Sequence, residues 1–324
     1  MSDDALQRLL ITGANGFVGS YLIGAFLDQS PPGSDCIGWG LESFGDRKDR
    51  VSWQKVDLRD AESVDKAVLE ARPTAVVHLA AISHVPTSFK NPELVWDVNL
   101  LGTLRLLRAL ESHAPDAVVI IVSTSEVYGR SFATGKGLDE NAILAPRNPY
   151  AASKSAADLL AGQYSETGMK VMRMRPFNHI GPRQSADFVV SAFASQIARI
   201  EKGLQEPVLN VGNLEAKRDF LHVKDVVRAY IEVIKGANLI EPGEIFNVCS
   251  GTPRAIEDIL RDLLAMSSLA ISVQHDQSRM RPSDTPLAFG SAERLKSRLG
   301  WRPEISWEKT LLDTLEYWRS TVTA

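Results

Sequence analysis

Short apolar runs alternate with segments of helical period through the first half of this chain, and that alternation restricts the fold more than any other feature. Residues 9–12, 36–39, 51–56, 75–79, 118–122 and 171–174 read as short buried strands. Residues 18–28, 61–71, 94–112 and 150–166 carry helical spacing between most of them. Strand, helix, strand in repetition implies βαβ units, hence a parallel sheet with right-handed crossovers and ligands at the carboxyl ends of its strands. The expectation is an α/β protein, a doubly wound parallel (Rossmann) sheet.

After Pro176 the rhythm breaks into a loop, a helix near residues 189–202, short strands, and terminal helices near 292–299 and 307–319. At 324 residues the chain exceeds the usual size of one compact core. The expected organisation is a dinucleotide-binding domain over residues 1–176, rejoined by 220–249, with residues 177–324 mainly a smaller C-terminal substrate-binding lobe.

Composition excludes several classes. The 36 basic and 40 acidic residues are mixed along the chain, which leaves no basic stripe for nucleic acid or anionic lipid. Cys36 and Cys249 lie far apart and without metal-ligand spacing, so neither a disulfide framework nor a metal site is expected. An acidic start unlike a signal peptide and no apolar stretch of membrane-spanning length fit a soluble, cytoplasmic protein with no membrane partner.

The stretch LLITGANGFVGSYL places Gly13, Gly16 and Gly19 where a strand turns into a helix, with Asn15, Phe17 and Val18 beside them. Such a turn needs permissive backbone, close approach to a pyrophosphate and free N–H groups at a helix N-terminus. A tight turn without a ligand uses the same glycines. The second strand of a dinucleotide fold often ends in an acid that binds the adenine ribose, and here Gly40 occupies that place. Without the acid a 2′-phosphate is tolerated, and Arg47, Lys48 or Arg50 could meet it or form a solvated charge run. The cofactor reading is NADP(H) or NAD(H), leaning to NADP(H). Asp57, followed by Leu58, could accept the adenine amino group or cap the next helix.

The stretch YAASK holds Tyr150 and Lys154 four residues apart, on one helical face. Alone the pair is common. Together with the glycine turn and the strand-end sequence VSTSEVYG, which carries Thr124 and Glu126, it defines a candidate reaction centre. A phenol near pKa 10 is a poor acid or base at neutral pH, and a nearby ammonium together with a nicotinamide cation is expected to favour its phenolate. His78, at the end of a buried strand, reads as a structural histidine.

These residues resemble the extended short-chain dehydrogenase/reductase family of nucleotide-sugar enzymes, within the NAD-dependent epimerase/dehydratase group. The resemblance implies that Thr124 holds the reacting sugar oxygen, Tyr150 exchanges its proton and Lys154 tunes Tyr150 and binds the cofactor ribose. Leu79, Ala80, Ala81 and Asn99 would line the cofactor site with the glycine turn and residues 57–58. The stretches AAISHVPTSF, RPFNHIGPRQSADF and RPSD are similar to the GDP-mannose branch. There Ser83, His84 and Val85 would lie near the hexose and Asn178 near the diphosphate and sugar. Arg218 and Arg281 would grip the diphosphate, with Asp284 beside Arg281, and Val189 and Asn213 would contact the guanosine. His84 and Asn178 serve equally well as loop-stabilising polar residues.

Two reactions of that branch compete. One is reduction of the C4 ketone of GDP-4-dehydro-6-deoxy-D-mannose to GDP-D-rhamnose, a donor for surface polysaccharide. The other is 4,6-dehydration of GDP-mannose, with Glu126 as the base at C5 and a tightly bound NADP. The run from FNHIGP to RPSD, the chain length and Gln184, where dehydratases carry a second arginine, favour reduction; Glu126 and Arg183 also fit the dehydratases. Glu126 is therefore either a base or a strand-end carboxylate that orients a neighbour. A non-catalytic NADP(H)-binding redox sensor is the reading of a different class. The resemblance also implies a homodimer through residues 94–112 and 150–166, although Leu100, Leu104 and Leu107 could equally face the protein's own sheet.

Overall fold

The computed structural model describes residues 7–42, 50–279 and 285–323. In chain order the first half runs β1 (Arg8–Thr12), α1 (Phe17–Gln29), β2 (Asp35–Gly40), β3 (Val51–Lys55), α2 (Ala61–Ala71) and β4 (Ala75–His78). It continues through α3 (Val85–Lys90), α4 (Pro92–Trp96), α5 (Gly102–His113), β5 (Val118–Val122), α6 (Pro149–Ser165) and β6 (Lys170–Pro176). The expected strands are all present, and all join one sheet.

The second half contains β7 (Asn178–Ile180), α7 (Val189–Glu201), β8 (Val208–Val211), β9 (Lys217–His222), α8 (Val223–Lys235) and β10 (Ile245–Val248). After these come β11 (Pro253–Ala255), α9 (Ile256–Ala265), β12 (Ser272–His275), β13 (Leu287–Ala288), α10 (Glu293–Leu299) and α11 (Trp307–Thr321).

The main sheet has seven strands in the order β10-β6-β5-β4-β1-β2-β3. Every pairing in it is parallel. Successive side chains of a strand point to opposite faces, so each strand divides its apolar residues between two helical layers. Leu9, Ile11, Val77, Ile120 and Met174 pack with Leu22, Phe26, Val226 and Tyr230 of α1 and α8. Leu10, Val76, Val119 and Ile121 pack on the other face with Val64, Val68, Leu106 and Leu110 of α2 and α5. Burial of both faces explains why these strands read as continuous apolar runs.

A separate core lies outside that sheet, where Val190, Phe193, Ile197, Leu209, Ile259, Leu263, Leu311 and Leu315 draw α7, β8, α9 and α11 together. Strand β9 connects the two parts, because β7 and β13 pair with it in parallel, β11 pairs antiparallel, and α8 then leads back to the sheet at β10.

The helix expected over residues 94–112 is interrupted. Between α4 and α5 the backbone opens into a wide π turn, Asp97–Leu101. The extra residue carries Asn99 into the interior, where its amide is satisfied by neighbours outside the helix. Such π turns inside α-helices frequently mark functional positions.

Candidate active site

The glycine turn sits at the carboxyl end of β1, where the doubly wound topology opens a crevice. Gly13 adopts φ +68°, and a Cβ there would lie 2.9 Å from the Ala80 backbone, so only glycine lets the loops after β1 and β4 meet. A Cβ on Gly19 would lie 2.5 Å from the Gly13 carbonyl oxygen, which explains the close seating of α1. Gly16 precedes α1 and no side chain caps the helix, so its first-turn N–H groups face the crevice without a side-chain acceptor. That is a fitting cradle for a pyrophosphate.

At the end of β2, Gly40 lies against Asn15, whose Oδ1 would stand 3.0 Å from an added Cβ. Of the three basic residues expected near a 2′-phosphate, Arg47 and Lys48 lie outside the described residues. Arg50 points elsewhere: at the amino end of the parallel strand β3, it donates to the Leu27 carbonyl and to Ser30 Oγ. The capping role suggested for Asp57 belongs to Asp60, which accepts from the Glu62 and Ser63 amides at the start of α2. Asp57 instead holds Arg59 with a contact of 2.6 Å, and that hydrogen bond lowers its carboxyl pKa. Leu58 is buried and packs against Gly102.

His78 is part of a closed chain of hydrogen bonds. The Ala80 amide donates to Thr12 Oγ1, which lies 2.7 Å from His78 Nδ1. On the other side His78 Nε2 lies 3.0 Å from Thr103 Oγ1, which donates to the Asn99 carbonyl. The Thr103 proton is committed to the Asn99 carbonyl, so Nε2–H donates to Thr103, and in the neutral ring Nδ1 accepts from the Thr12 hydroxyl. Burial, with the Lys154 ammonium adding to it, pushes the imidazole down to about 3. His78 fixes the loop after β4, through Leu79, Ala80 and Ala81, and has no proton to exchange at neutral pH.

Asn99 pins two functional segments at once. Its Oδ1 accepts from the Ile82 amide at 2.8 Å, and its Nδ2 donates to Ser153 Oγ at 3.0 Å. Ser153 lies on α6 between Tyr150 and Lys154 and donates in turn to the Tyr150 carbonyl. The loop after β4 and the helix bearing the YAASK pair are therefore held in register by one buried amide.

Helix α6 begins with strong local signals. Asn148 caps it by accepting from the Ala151 amide at 2.7 Å, and Pro149 takes the first helical position. Thr124, at the end of β5, is buried and hydrogen-bonds Tyr150. Desolvation pushes the phenol up to about 12, the Thr124 contact opposes that rise, and the Glu126 charge adds to it. Lys154 is pushed down to about 8 by burial, partly offset by Asp158. The expectation that the lysine charge favours a phenolate is thus not met in the protein alone, because desolvation disfavours the charged form of both groups.

Beneath this pair lies a buried ionic network. Asp158 accepts from Arg175 Nε and Nη2, each at 2.9 Å, and from Arg173 Nη1 at 3.3 Å. Arg175 donates to Tyr128 Oη, which donates to Asn247 Oδ1 at 2.7 Å. The network joins α6, β6, the VSTSEVYG segment and β10.

Glu126 is exposed and accepts from Asn148 Nδ2 at 3.2 Å. The cleft that opens beside it is also lined by Arg147, Asn178 and Arg218. Arg218 Nη1 donates to the Lys217 carbonyl at 2.9 Å, and the buried carboxylate of its strand neighbour Asp219 gathers the Ser250 and Gly251 amides, each at 2.8 Å. That contact gives the NVCSG stretch a structural purpose. Ser83 is exposed, while His84 and Val85 begin α3, where His84 Nδ1 lies 2.8 Å from Thr87 Oγ1. Val189 opens α7 against the second core, and Asn213 Oδ1 accepts from the Glu215 amide. None of these last five lines the cleft with Glu126 and Arg218. Arg281 and Asp284 lie outside the described residues.

Arg147, Asn148, Asp158 and Asp219 are the site residues that sequence reasoning missed. An Asn-Pro pair opening a helix was a readable cap signal; the partners of Asp158 and Asp219 are distant in sequence.

Gln184 is buried, donating from Nε2 to the His179 carbonyl and accepting from Ser191 Oγ. It ties the loop after β7 to α7. Arg183 beside it is exposed and adopts φ +76°.

The chain is 37% identical to GDP-6-deoxy-D-mannose reductase of Pseudomonas aeruginosa, covering 98% of each. It is 30% identical to GDP-mannose 4,6 dehydratase 2 of Arabidopsis thaliana, covering 93% of this chain and 83% of that one. Among solved structures, RMD from Pseudomonas aeruginosa complexed with NADPH superposes with TM-score 0.85 at 35% identity, over 98% of this chain and all of the other. Residues 10–314 match the family model described as GDP-mannose 4,6 dehydratase, and the chain belongs to that family.

Proposed function

We propose that this protein is an NAD(P)H-dependent nucleotide-sugar reductase that converts the C4 ketone of GDP-4-dehydro-6-deoxy-D-mannose to the alcohol, yielding GDP-D-rhamnose. The carrying observation is similarity to a reductase along the whole of both chains, with Thr124 and Tyr150 in contact at the end of β5. The glycine turn, the uncapped start of α1 and the neutral Gly40 suit a dinucleotide, and the missing acid at Gly40 favours the 2′-phosphorylated form. When bound, that cofactor supplies hydride.

The chain's own residues do the rest. Thr124 holds the ketone oxygen and Tyr150 delivers a proton to it as the oxygen gains charge. A phenol held protonated suits that task, since reduction needs an acid at O4. Lys154, on the same helical face, orients the cofactor ribose and supplies positive charge when Tyr150 gives up its proton. Arg218 and Asn178 bind the diphosphate end of the substrate. Glu126 acts as an orienting carboxylate through Asn148.

Dehydration of GDP-mannose is the second reading, favoured by Glu126 and by relatives such as the Vibrio cholerae GDP-mannose 4,6-dehydratase, 28% identical. Against it, Gln184 serves the loop after β7, and this chain is coextensive with the reductase and spans 83–91% of the dehydratases. Purified protein supplied with GDP-mannose and oxidised cofactor, then with the 4-keto sugar and reduced cofactor, separates the two by product. Dehydrated product from the first mixture and none from the second would reject the reductase reading.

A role in polysaccharide precursor supply follows from the product. A homodimer is the assembly we favour. The apolar residues Leu94, Leu101 and Leu159 are exposed on α4, the π turn and α6, whereas Leu107 is fully buried against the protein's own sheet and cannot serve. Among the described residues no helix is long and apolar enough to cross a membrane, which is consistent with a cytoplasmic site of action.

A further inference from the structure

We infer that Arg147 is a second anion-binding residue of the substrate cleft, meeting the nucleotide-sugar diphosphate from the α6 side of the cleft that Arg218 also lines. The inference deepens the reductase reading and rests on it.

Arg147 immediately precedes Asn148, the cap of α6, and so stands three residues before Tyr150 in a segment whose backbone is fixed by the cap and by Pro149. It lines the same cleft as Arg218, which stands on β9, the strand that connects the two cores. Arg147 is exposed, and among the described residues no ion pair occupies it. Among the described residues the carboxylate lining the cleft is Glu126, and it is engaged by Asn148. Two arginines line one polar cleft, and Arg147 has its guanidinium charge available there. A diphosphate offers oxygens on both sides, and planar guanidinium forks suit it better than ammonium groups do. A cation on the α6 side would grip the diphosphate from the segment that leads into the helix bearing Tyr150.

The test measures binding of GDP, GMP and GDP-mannose by calorimetry, at two salt concentrations, to wild type, Arg147→Ala, Arg147→Lys and Arg218→Ala, with NADPH binding and melting temperature as controls. Arg147→Ala is expected to weaken GDP about tenfold or more, to affect GMP less, and to flatten the salt dependence, while NADPH binding and melting stay as in wild type. Arg147→Lys should recover part of the loss. Unchanged GDP affinity in Arg147→Ala beside a weakened Arg218→Ala would overturn the inference. So would a loss confined to GDP-mannose, which would assign Arg147 to the hexose. Failure of wild type to bind GDP at all would instead reject the reductase reading itself.

Discussion

Asn148 donates to Glu126 and caps the helix that carries Tyr150. One amide side chain thereby ties the end of β5 to the start of α6, on either side of the proposed reaction centre. The carboxylate is close enough to Tyr150 to raise its pKa, and in a ketone reductase that effect keeps the phenol protonated.

Glu126→Gln should therefore retain ketone reduction, losing less than about tenfold in kcat, while Tyr150→Phe loses two to four orders of magnitude with cofactor binding intact. Removing the carboxylate charge lowers the phenol's pKa, so the fall in kcat at high pH should begin at a lower pH in Glu126→Gln. A pH–rate profile on the 4-keto sugar checks both. A collapse of reduction in Glu126→Gln would return that carboxylate to a chemical role.

Asn148→Ala removes a helix cap, which costs about 1 kcal/mol of stability. It also frees Glu126. The expected result is a modest drop in urea midpoint with a larger fall in kcat than in substrate affinity, because the acid is displaced rather than the diphosphate site. Equal effects on kcat and KM would argue against the positioning role.

Asp158→Asn should be far more damaging, by about 3–5 kcal/mol, because it leaves the buried Arg175 without its paired carboxylate. Chemical denaturation reads the loss directly. A change below about 1 kcal/mol would mean that Tyr128 and the Glu140 carbonyl already satisfy the guanidinium.

Lys154 and His78 shift stability in the same direction with pH, in two separate windows. Both pKa values are depressed, so each group is more protonated in the unfolded chain than in the folded one, and stability rises with pH through the window between the two values. For His78 that window runs from about 3 up to its ordinary 6.5, so acid weakens the fold there. For Lys154 it runs from about 8 up to 10.5. Lys154→Met should abolish activity yet raise the melting temperature of the cofactor-free protein at pH 7, with the advantage shrinking above pH 8. A lower melting temperature at pH 7 would contradict the burial cost assigned to this ammonium.

Leu101→Asp combined with Leu159→Asp should yield a monomer with a preserved fold, read by sedimentation and circular dichroism. An unchanged sedimentation coefficient would remove this face from the assembly.

The periodicity of the sequence determined the parallel sheet, because strands buried on both faces must be apolar at every position, and the glycine turn and YAASK pair carried their chemistry in local spacing. Asn-Pro before Tyr150 was equally local, and legible as a cap. What Glu126 does was not legible, since its partner stands 22 residues away across a loop. The π turn at Asn99 was also hidden, because it depends on Ile82 and Ser153 from two other segments. The same holds for the direction of the Tyr150 and Lys154 shifts: four-residue spacing brings the groups to one helical face, but only the packed interior decides that loss of water outweighs their mutual attraction. Tertiary structure decided which charges stand alone and which are paired.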